Sequence, residues 1–314
     1  MRSNYKPALA AAVVLSMVLL AGCRELPGKA DNKLDQNVEN NLQQNLGIAL
    51  QQEIGEAAAN LEQTVENSAI KLTDHIISKG ISRQLSSSKK EVGSSSVLSI
   101  SNPVGTIEVK PASDKQITVH TTIWFDSNSK YETDRQKIMD NAKTSIQIDG
   151  DTISITTFAQ DHPKKDLWTW AEDQFNYSEF SIDYIVEVPV SVDMYKITNN
   201  VGEVQLDDLQ GTYHIVNNVG AVHISGAKFI GKSKVETNTG SIHLDITDMA
   251  PKSSLEANTN IGSLSASLAD SLKCSLETKS ELGVITGAAD GKSDINGGGP
   301  AITLTSSLGA ITID

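Results

Sequence analysis

Cysteine is scarce in this chain, which has only Cys23 and Cys274 among its 314 residues. If Cys23 is modified, as argued below, Cys274 has no second cysteine to pair with, and an intramolecular disulfide is excluded. Cys274 lies between Lys273 and Ser275, next to an apolar position of a β-like pattern. We therefore predict a buried small side chain there and not a reactive thiol.

The chain is also short of basic residues, with 26 Lys and Arg against 39 Asp and Glu and a net charge of −13. Residues 1–22 contain Arg2 and Lys6 but no acid, so their removal would bring the net charge to −15. A surface this acidic repels nucleic acid and anionic lipid headgroups. Nucleic acid is excluded as a partner, and no basic patch is available to hold the chain on a membrane.

The first residues have the layout of an export signal. Arg2 and Lys6 precede an apolar run over residues 7–20, which is too short to span a bilayer. Leu20-Ala21-Gly22-Cys23 follows, and the whole stretch resembles a bacterial lipoprotein signal with its lipobox. The resemblance implies export, cleavage before Cys23 and a lipid, with palmitate among its acyl chains, on Cys23. The alternative is an uncleaved membrane anchor in which the cysteine is incidental.

Composition divides the next part of the chain into three segments. Residues 23–33 are predicted to be a tether, and residues 34–81 carry apolar side chains at spacings of three and four, typical of an amphipathic helical stalk. A coiled coil that oligomerises through 34–81 is the alternative, although the steady spacing of four departs from a heptad. Residues 82–96 are rich in serine and are predicted to be a linker.

From Val97 the pattern becomes that of β-strands, and we assign 97–314 to one mainly β domain. An insertion is predicted at about 126–181. It starts with a helical pattern and continues with a hairpin around Asp149-Gly150-Asp151. It ends with an aromatic-rich stretch from Trp168 to Phe180, in a chain with only 3 Trp, 6 Tyr and 5 Phe. We expect these rings to cap one end of the domain; a contact surface for sugar or protein is the alternative.

An internal repeat defines the architecture. It is anchored on seven glycines, namely Gly105, Gly202, Gly220, Gly240, Gly262, Gly283 and Gly309. Positions two and four after each glycine are mostly apolar, the position between them is polar, and the position five before is mostly apolar. Each unit is thus strand, turn and strand with one buried face. Such units cannot bury that face alone and must stack, which predicts a single-stranded β-helix, or β-solenoid, with right-handed coiling favoured.

Asparagine marks four of the turns, two residues before the glycine: Asn200, Asn218, Asn238 and Asn260. Equivalent amides in stacked coils can bond to one another, so we predict a structural ladder and not a ligand site.

In the order of these elements and repeats, the sequence resembles a family of bacterial envelope domains named "putative adhesin", long labelled a domain of unknown function. The likeness covers about 96–314 and rests on Leu98–Val109, on the helix and hairpin that follow, on Tyr184–Pro189 and on the repeats. It implies a β-solenoid in an anchored or secreted protein and supplies no catalytic residue.

Two side-chain groups were considered for chemistry. His223 and His243 occupy one polar column and could bind a metal, but as a pair they are better explained as outward, solvated residues. The acids Asp207, Asp208, Asp245 and Asp248 invite comparison with β-helix polysaccharide enzymes, yet their places at coil ends favour solvated turns. We therefore predict no catalytic, metal-binding or cofactor-binding residue, and no enzyme.

The expected function is that of a lipid-anchored envelope or surface protein with adhesin-like binding or scaffolding. Its membrane contact would be the lipid on Cys23, in the outer membrane of a Gram-negative cell or on the outer face of a Gram-positive cell membrane. Its partner would be a protein or a glycan. An envelope-stress or signalling accessory lipoprotein is the main alternative, and a β-helix carbohydrate-active enzyme is a further one.

Overall fold

A computed structural model describes residues 80–93, 96–127 and 129–314. The predictions for the signal, Cys23, the tether and the stalk up to residue 79 lie outside the described residues. Within them the chain is mainly β, with 22 strands and two α-helices, which confirms the predicted fold class at this level. Neither helix has the length and apolarity that a membrane crossing requires.

The first part of the domain mixes strands and helices. Its strands are β1 (Ile81–Gln84), β2 (Ser88–Glu91), β3 (Ser96–Val104), β4 (Ile107–Pro111), β5 (Gln116–Phe125), β6 (Ala142–Asp149), β7 (Thr152–Ala159), β8 (His162–Asp166) and β9 (Phe180–Val188). Its helices are α1 (Glu132–Asn141) and α2 (Leu167–Phe175), and a 3-10 turn over Ser129–Tyr131 leads into α1.

The second part consists of strands alone. They are β10 (Val192–Val201), β11 (Val204–Asp207), β12 (Gln210–Val219), β13 (Val222–Phe229), β14 (Lys232–Thr239), β15 (Ile242–Met249), β16 (Ser254–Ile261), β17 (Leu264–Leu268), β18 (Cys274–Leu282), β19 (Ile285–Thr286), β20 (Gly291–Ile295), β21 (Ala301–Leu308) and β22 (Ile311–Ile313).

The strands stack in two parallel columns, and a turn at each repeat glycine joins them. Column 1 runs β7, β3, β10, β12, β14, β16, β21, β18. Column 2 runs β9, β4, β11, β13, β15, β17, β22, β19. The apolar positions found in the repeat point between the columns, where alternating residues such as Ile197, Ile215 and Val235 are at most 1% exposed. The predicted repeat is therefore present as stacked coils around one core.

The stacking order departs from chain order at the last two coils. β21 lies between β16 and β18, and β22 lies between β17 and β19. The coil of β21 and β22 comes last in the chain, but in the stack it lies between the coil of β16 and β17 and the coil of β18 and β19. The irregular segment 290–300 allows the chain to return in this way. Its strand β20 pairs antiparallel with the outer edge of β18, and Gly297 and Gly298 then reverse the chain with φ of 90° and 79°.

The prediction of a serine-rich linker over 82–96 is wrong for most of its described residues. β1 and β2 both pair antiparallel with β5 in this segment, and Ile81, assigned to the stalk, is the first residue of β1. The composition of this segment, rich in serine and lysine, predicted a linker because these residue types do not favour a strand by themselves. These residues form strands because the edge of β5 supplies backbone hydrogen-bonding partners for them.

The segment 126–181 is not simply an insertion outside the coils. The predicted hairpin is present as β6 and β7, but β7 also pairs in parallel with β3, and β9 pairs in parallel with β4. These two strands form the first layer of the stack. The helix predicted at the start of this segment is α1, which ends at Asn141 because Ala142–Asp149 pairs along β7 as a strand.

Candidate functional site

The glycine turns bring neighbouring coils into direct backbone contact. Gly220 and Gly240 have φ of 119° and 143°, in the region that side chains avoid. A Cβ built on Gly240 would lie 2.1 Å from the carbonyl oxygen of Gly220, and one on Gly220 would lie 2.0 Å from that of Gly202. No side chain fits between adjacent turns. The spacing of the whole stack depends on these glycines.

The predicted asparagine ladder is confirmed. Asn218 Nδ2 donates to Asn200 Oδ1 over 2.9 Å, Asn238 to Asn218 over 3.0 Å, and Asn260 to Asn238 over 3.1 Å. Asn218 and Asn238 each donate to one neighbouring amide and accept from the other. The ladder thus follows the glycine turns from coil to coil.

A second polar row, three residues before each glycine, was missed from the sequence. Its members are buried or half-buried and include Asn102, Asn199, Asn217, Thr259, Ser280 and Ser306. Asn217 Nδ2 donates to the carbonyl of Gly202 over 3.0 Å, and Thr259 Oγ1 donates to that of Gly240 over 3.1 Å. The row satisfies carbonyl oxygens of the turn stacked below it. The recurrence of Asn, Thr or Ser at this position was the available signal.

Adjacent asparagines offer a matched comparison of the two rows. We expect Asn217→Ala to lower the free energy of unfolding by about 2–4 kcal/mol, because it leaves buried polar groups without partners. Asn218→Ala removes two exposed ladder bonds and should lower it by less than about 1 kcal/mol, because water replaces them. Urea unfolding followed by tryptophan fluorescence measures both. Equal losses would show that the buried row has no special part in holding the turns.

The outward face of column 2 carries the two histidines. Their rings stack with centroids 4.6 Å apart, and His223 Nε2 lies 3.3 Å from a carboxylate oxygen of Glu203. His243 hydrogen bonds through both ring nitrogens, with Ser265 Oγ at 2.7 Å and Ser241 Oγ at 3.0 Å. The described residues contain no group of three or more potential metal ligands.

The four acids compared with those of polysaccharide enzymes are exposed or half-buried. Asp245 accepts a hydrogen bond from the backbone N–H of Gly226 over 3.1 Å, and Asp248 accepts one from the N–H of Met249 over 2.8 Å. Asp208 has a φ of 52° and follows β11. The prediction of turn residues is therefore wrong for Asp245 and Asp248, which lie within β15, and for Asp207, the last residue of β11; only Asp208 lies outside a strand.

The outward face of column 1 holds a depression with a volume of about 310 Å³ across β3, β10, β12 and β14. Lys196, His214 and Lys234 lie on adjacent strands in matching register, with Ser99 next in the row on β3. Lys234 Nζ is 2.7 Å from Glu236, and this bond raises the lysine pKa, helped by the charges of Glu236 and Glu256. This row was not predicted from the sequence, although each of its three basic side chains lies six residues before a repeat glycine.

The aromatic segment packs against β7 and β8 through α2. Trp168 and Trp170 lie on α2 and are 9% and 6% exposed, and Trp168 stacks on Phe180 at 5.3 Å. Burial also raises the pKa of Asp183, which accepts hydrogen bonds from the N–H of Thr106 over 2.8 Å and from the indole of Trp124 over 2.6 Å. Most of these rings are buried and offer little surface to a ligand, but the strand edges that they were predicted to cap are covered by β5 and β6.

Cys274 is buried in β18, as predicted, and it is the free cysteine of the described residues. Burial, followed by the charge of Asp294, raises the pKa of its thiol. A raised pKa disfavours the thiolate, which is the reactive form.

The fold is that of a mainly β protein of stacked coils. Residues 181–296 match the family model described as Toastrack DUF4097, within the region that resembles adhesin-like domains. No similar sequence was found among curated proteins.

Similar solved structures have low identity. A "putative cell adhesion protein" from Clostridium sporogenes is 12% identical with a TM-score of 0.39, covering 73% of this chain and 98% of its own. A "putative adhesin" from Bacteroides fragilis is 13% identical with a TM-score of 0.34, covering 74% and 97%. A "putative lipid binding protein" from Parabacteroides distasonis is 13% identical with a TM-score of 0.27, covering 75% and 97%. Likenesses at this level support no conclusion about function on their own.

Proposed function

We propose that this chain is an exported, lipid-anchored protein of the bacterial envelope that binds a partner through the outward faces of its coils and catalyses no reaction. The anchor would be the lipid on Cys23, within the lipobox-like sequence Leu20–Cys23. The partner would be a glycan or a protein at the cell surface. Adhesin-like binding or scaffolding describes this role.

The observation that carries the proposal is the register of the outward columns. From β3 to β14 the equivalent side chains Ser99, Lys196, His214 and Lys234 follow one another without a shift. Such a column presents one outward side chain per strand, at a spacing of about 4.8 Å. A rigid surface with a short repeat suits an extended ligand or a flat partner, since little ordering is required on binding.

A binding array tests the proposal. Full-length protein is reconstituted in fluorescent lipid vesicles and presented to immobilised glycans and extracellular matrix proteins. We expect saturable retention on at least one ligand, at a level well above vesicles without protein. Retention of none would contradict adhesin-like binding. Cleavage of a retained glycan would instead favour the enzyme alternative, and cross-linking to a membrane sensor in intact cells would favour the signalling alternative.

A further inference from the structure

We propose that the depression on the outward face of column 1 binds an acidic oligosaccharide, with Lys196 and His214 as the principal anion contacts. This inference rests on the proposed binding function and names the chemistry of its ligand. The depression is lined by two lysines, one histidine and one glutamate, so it carries a net charge of +1 with histidine neutral. The whole chain has a net charge of −13. The depression is therefore a local reversal of the surface charge.

The basic side chains in the depression differ in whether they already have a carboxylate partner. Lys234 is paired with Glu236 over 2.7 Å, and Glu256 occupies the next place in the row. The side chains of Lys196 and His214 form no hydrogen bond or ion pair with the described residues, and both are exposed. An incoming anion would meet these two positions without displacing a protein carboxylate. Glu236 and Glu256 would repel it from the β16 end of the row.

The other end of the row is neutral and rich in hydroxyl groups. Ser99 and Ser101 on β3 and Thr198 on β10 line the depression, and Ser154 on β7 is in register with Ser99. These side chains both donate and accept hydrogen bonds, as sugar hydroxyls do. The surface thus runs from hydroxyl groups to cations along one line. A ligand that carries both hydroxyl groups and anionic groups complements this surface better than a simple anion does.

The dimensions also suit a sugar chain. Adjacent strands are about 4.8 Å apart, so the cationic row has a repeat close to the length of one pyranose ring. Successive carboxylated or sulfated sugars could place an anionic group at each of two neighbouring strands. The volume of about 310 Å³ lies at the lower end of the range of about 300–1,000 Å³ found for small-ligand sites. A short segment of a chain, and not a folded protein domain, fits that space.

Charge reversal at two matched positions tests the proposal. Lys196 lies in the depression, whereas Lys279 is an exposed lysine on β18 of the same column, far along the stack. The full-length protein in detergent is titrated calorimetrically with oligogalacturonate, with a heparin-derived oligosaccharide, and with a neutral maltooligosaccharide of equal length. We expect at least one acidic ligand to bind and Lys196→Glu to weaken it at least tenfold. Lys279→Glu should change it less than twofold, and the neutral ligand should not bind.

Equal weakening by Lys196→Glu and Lys279→Glu would overturn the proposal, because it would show general attraction and no site. Binding that disappears at physiological salt would overturn it in the same way. His214→Ala provides a second variant, which should weaken the acidic ligand while leaving thermal unfolding unchanged. If the array described above finds a ligand that Lys196→Glu does not affect, binding stands and the acidic-sugar site fails. If the array finds no ligand, both fail.

Discussion

Gly240→Ala is expected to destabilise the domain by about 2–6 kcal/mol. Forcing a side chain to a positive φ costs about 1–3 kcal/mol, and overpacking costs a similar amount. Both apply here, because Gly240 has a φ of 143° and its Cβ would lie 2.1 Å from the carbonyl oxygen of Gly220. That oxygen belongs to the backbone of the next coil and has no rotamer through which to move away. Urea unfolding followed by tryptophan fluorescence measures the loss.

Two other glycines separate the sources of that loss. Gly291 has a φ of 95° with nothing within 4 Å of its Cβ, so Gly291→Ala should show strain alone, about 1–3 kcal/mol. Gly93 has the same open space and no positive φ, so Gly93→Ala should be neutral or stabilise by up to about 1 kcal/mol. If Gly240→Ala is no worse than Gly291→Ala, the close approach of the coils is not what the glycines are needed for.

The loss at Gly240 should also be local in its first effect. In a stacked protein each coil contacts only its neighbours, so a weakened interface opens before the rest of the stack. Hydrogen exchange should accelerate first at the turn amides on either side of the substitution. One of these is the N–H of Gly220, which donates to the carbonyl of Thr239 over 3.0 Å.

The repeat could be predicted from sequence because its physical requirements recur at fixed places. A glycine is needed wherever two turns touch, and an apolar side chain is needed wherever a strand faces the core. Hence the alignment on seven glycines placed Ile107, Val204 and Val222 in one column, as the structure has them. The ladder from Asn200 to Asn260 followed from the same alignment.

The order of the last coils could not be predicted in the same way. Thr278 and Leu304 occupy equivalent places, and either coil presents an acceptable strand to β16. The choice is made by the connection through β20, which is a long-range property. β1 and β2 also depend on a long-range contact. They are strands because they pair with the edge of β5, and their own sequences give no sign of this pairing.

The candidate binding row was hidden by its mixed composition. Ser99, Lys196, His214 and Lys234 belong to three residue types, so the position looks merely polar when the repeats are aligned. The row is recognised as a possible anion site only from the structure. The register places the basic side chains on adjacent strands, and of these Glu236 pairs with Lys234 alone. Sequence predicts that a column faces outward, whereas the charge pattern across the column depends on the stacking.

Cys23→Ser is expected to move the protein from the membrane fraction to the soluble fraction with its domain still folded. Each buried methylene of a lipid chain contributes about 0.8 kcal/mol, so two or three chains hold a protein durably. The acidic chain offers no electrostatic substitute, with a net charge of −13. Fractionation with a high-salt wash measures release, and metabolic labelling with an alkyne fatty acid measures lipidation. Circular dichroism reports the fold.

Cys274→Ser is the matched control, because it changes the other cysteine, which is buried in β18. It should keep both the lipid label and the membrane association. In a second version of Cys23→Ser, a secretory signal without a lipobox replaces residues 1–22, so that an uncleaved apolar run cannot hold the chain. If this version still sediments with membranes after the salt wash, the lipid is not the sole attachment. If the fatty acid labels Cys23→Ser as strongly as the original chain, Cys23 is not the modified residue.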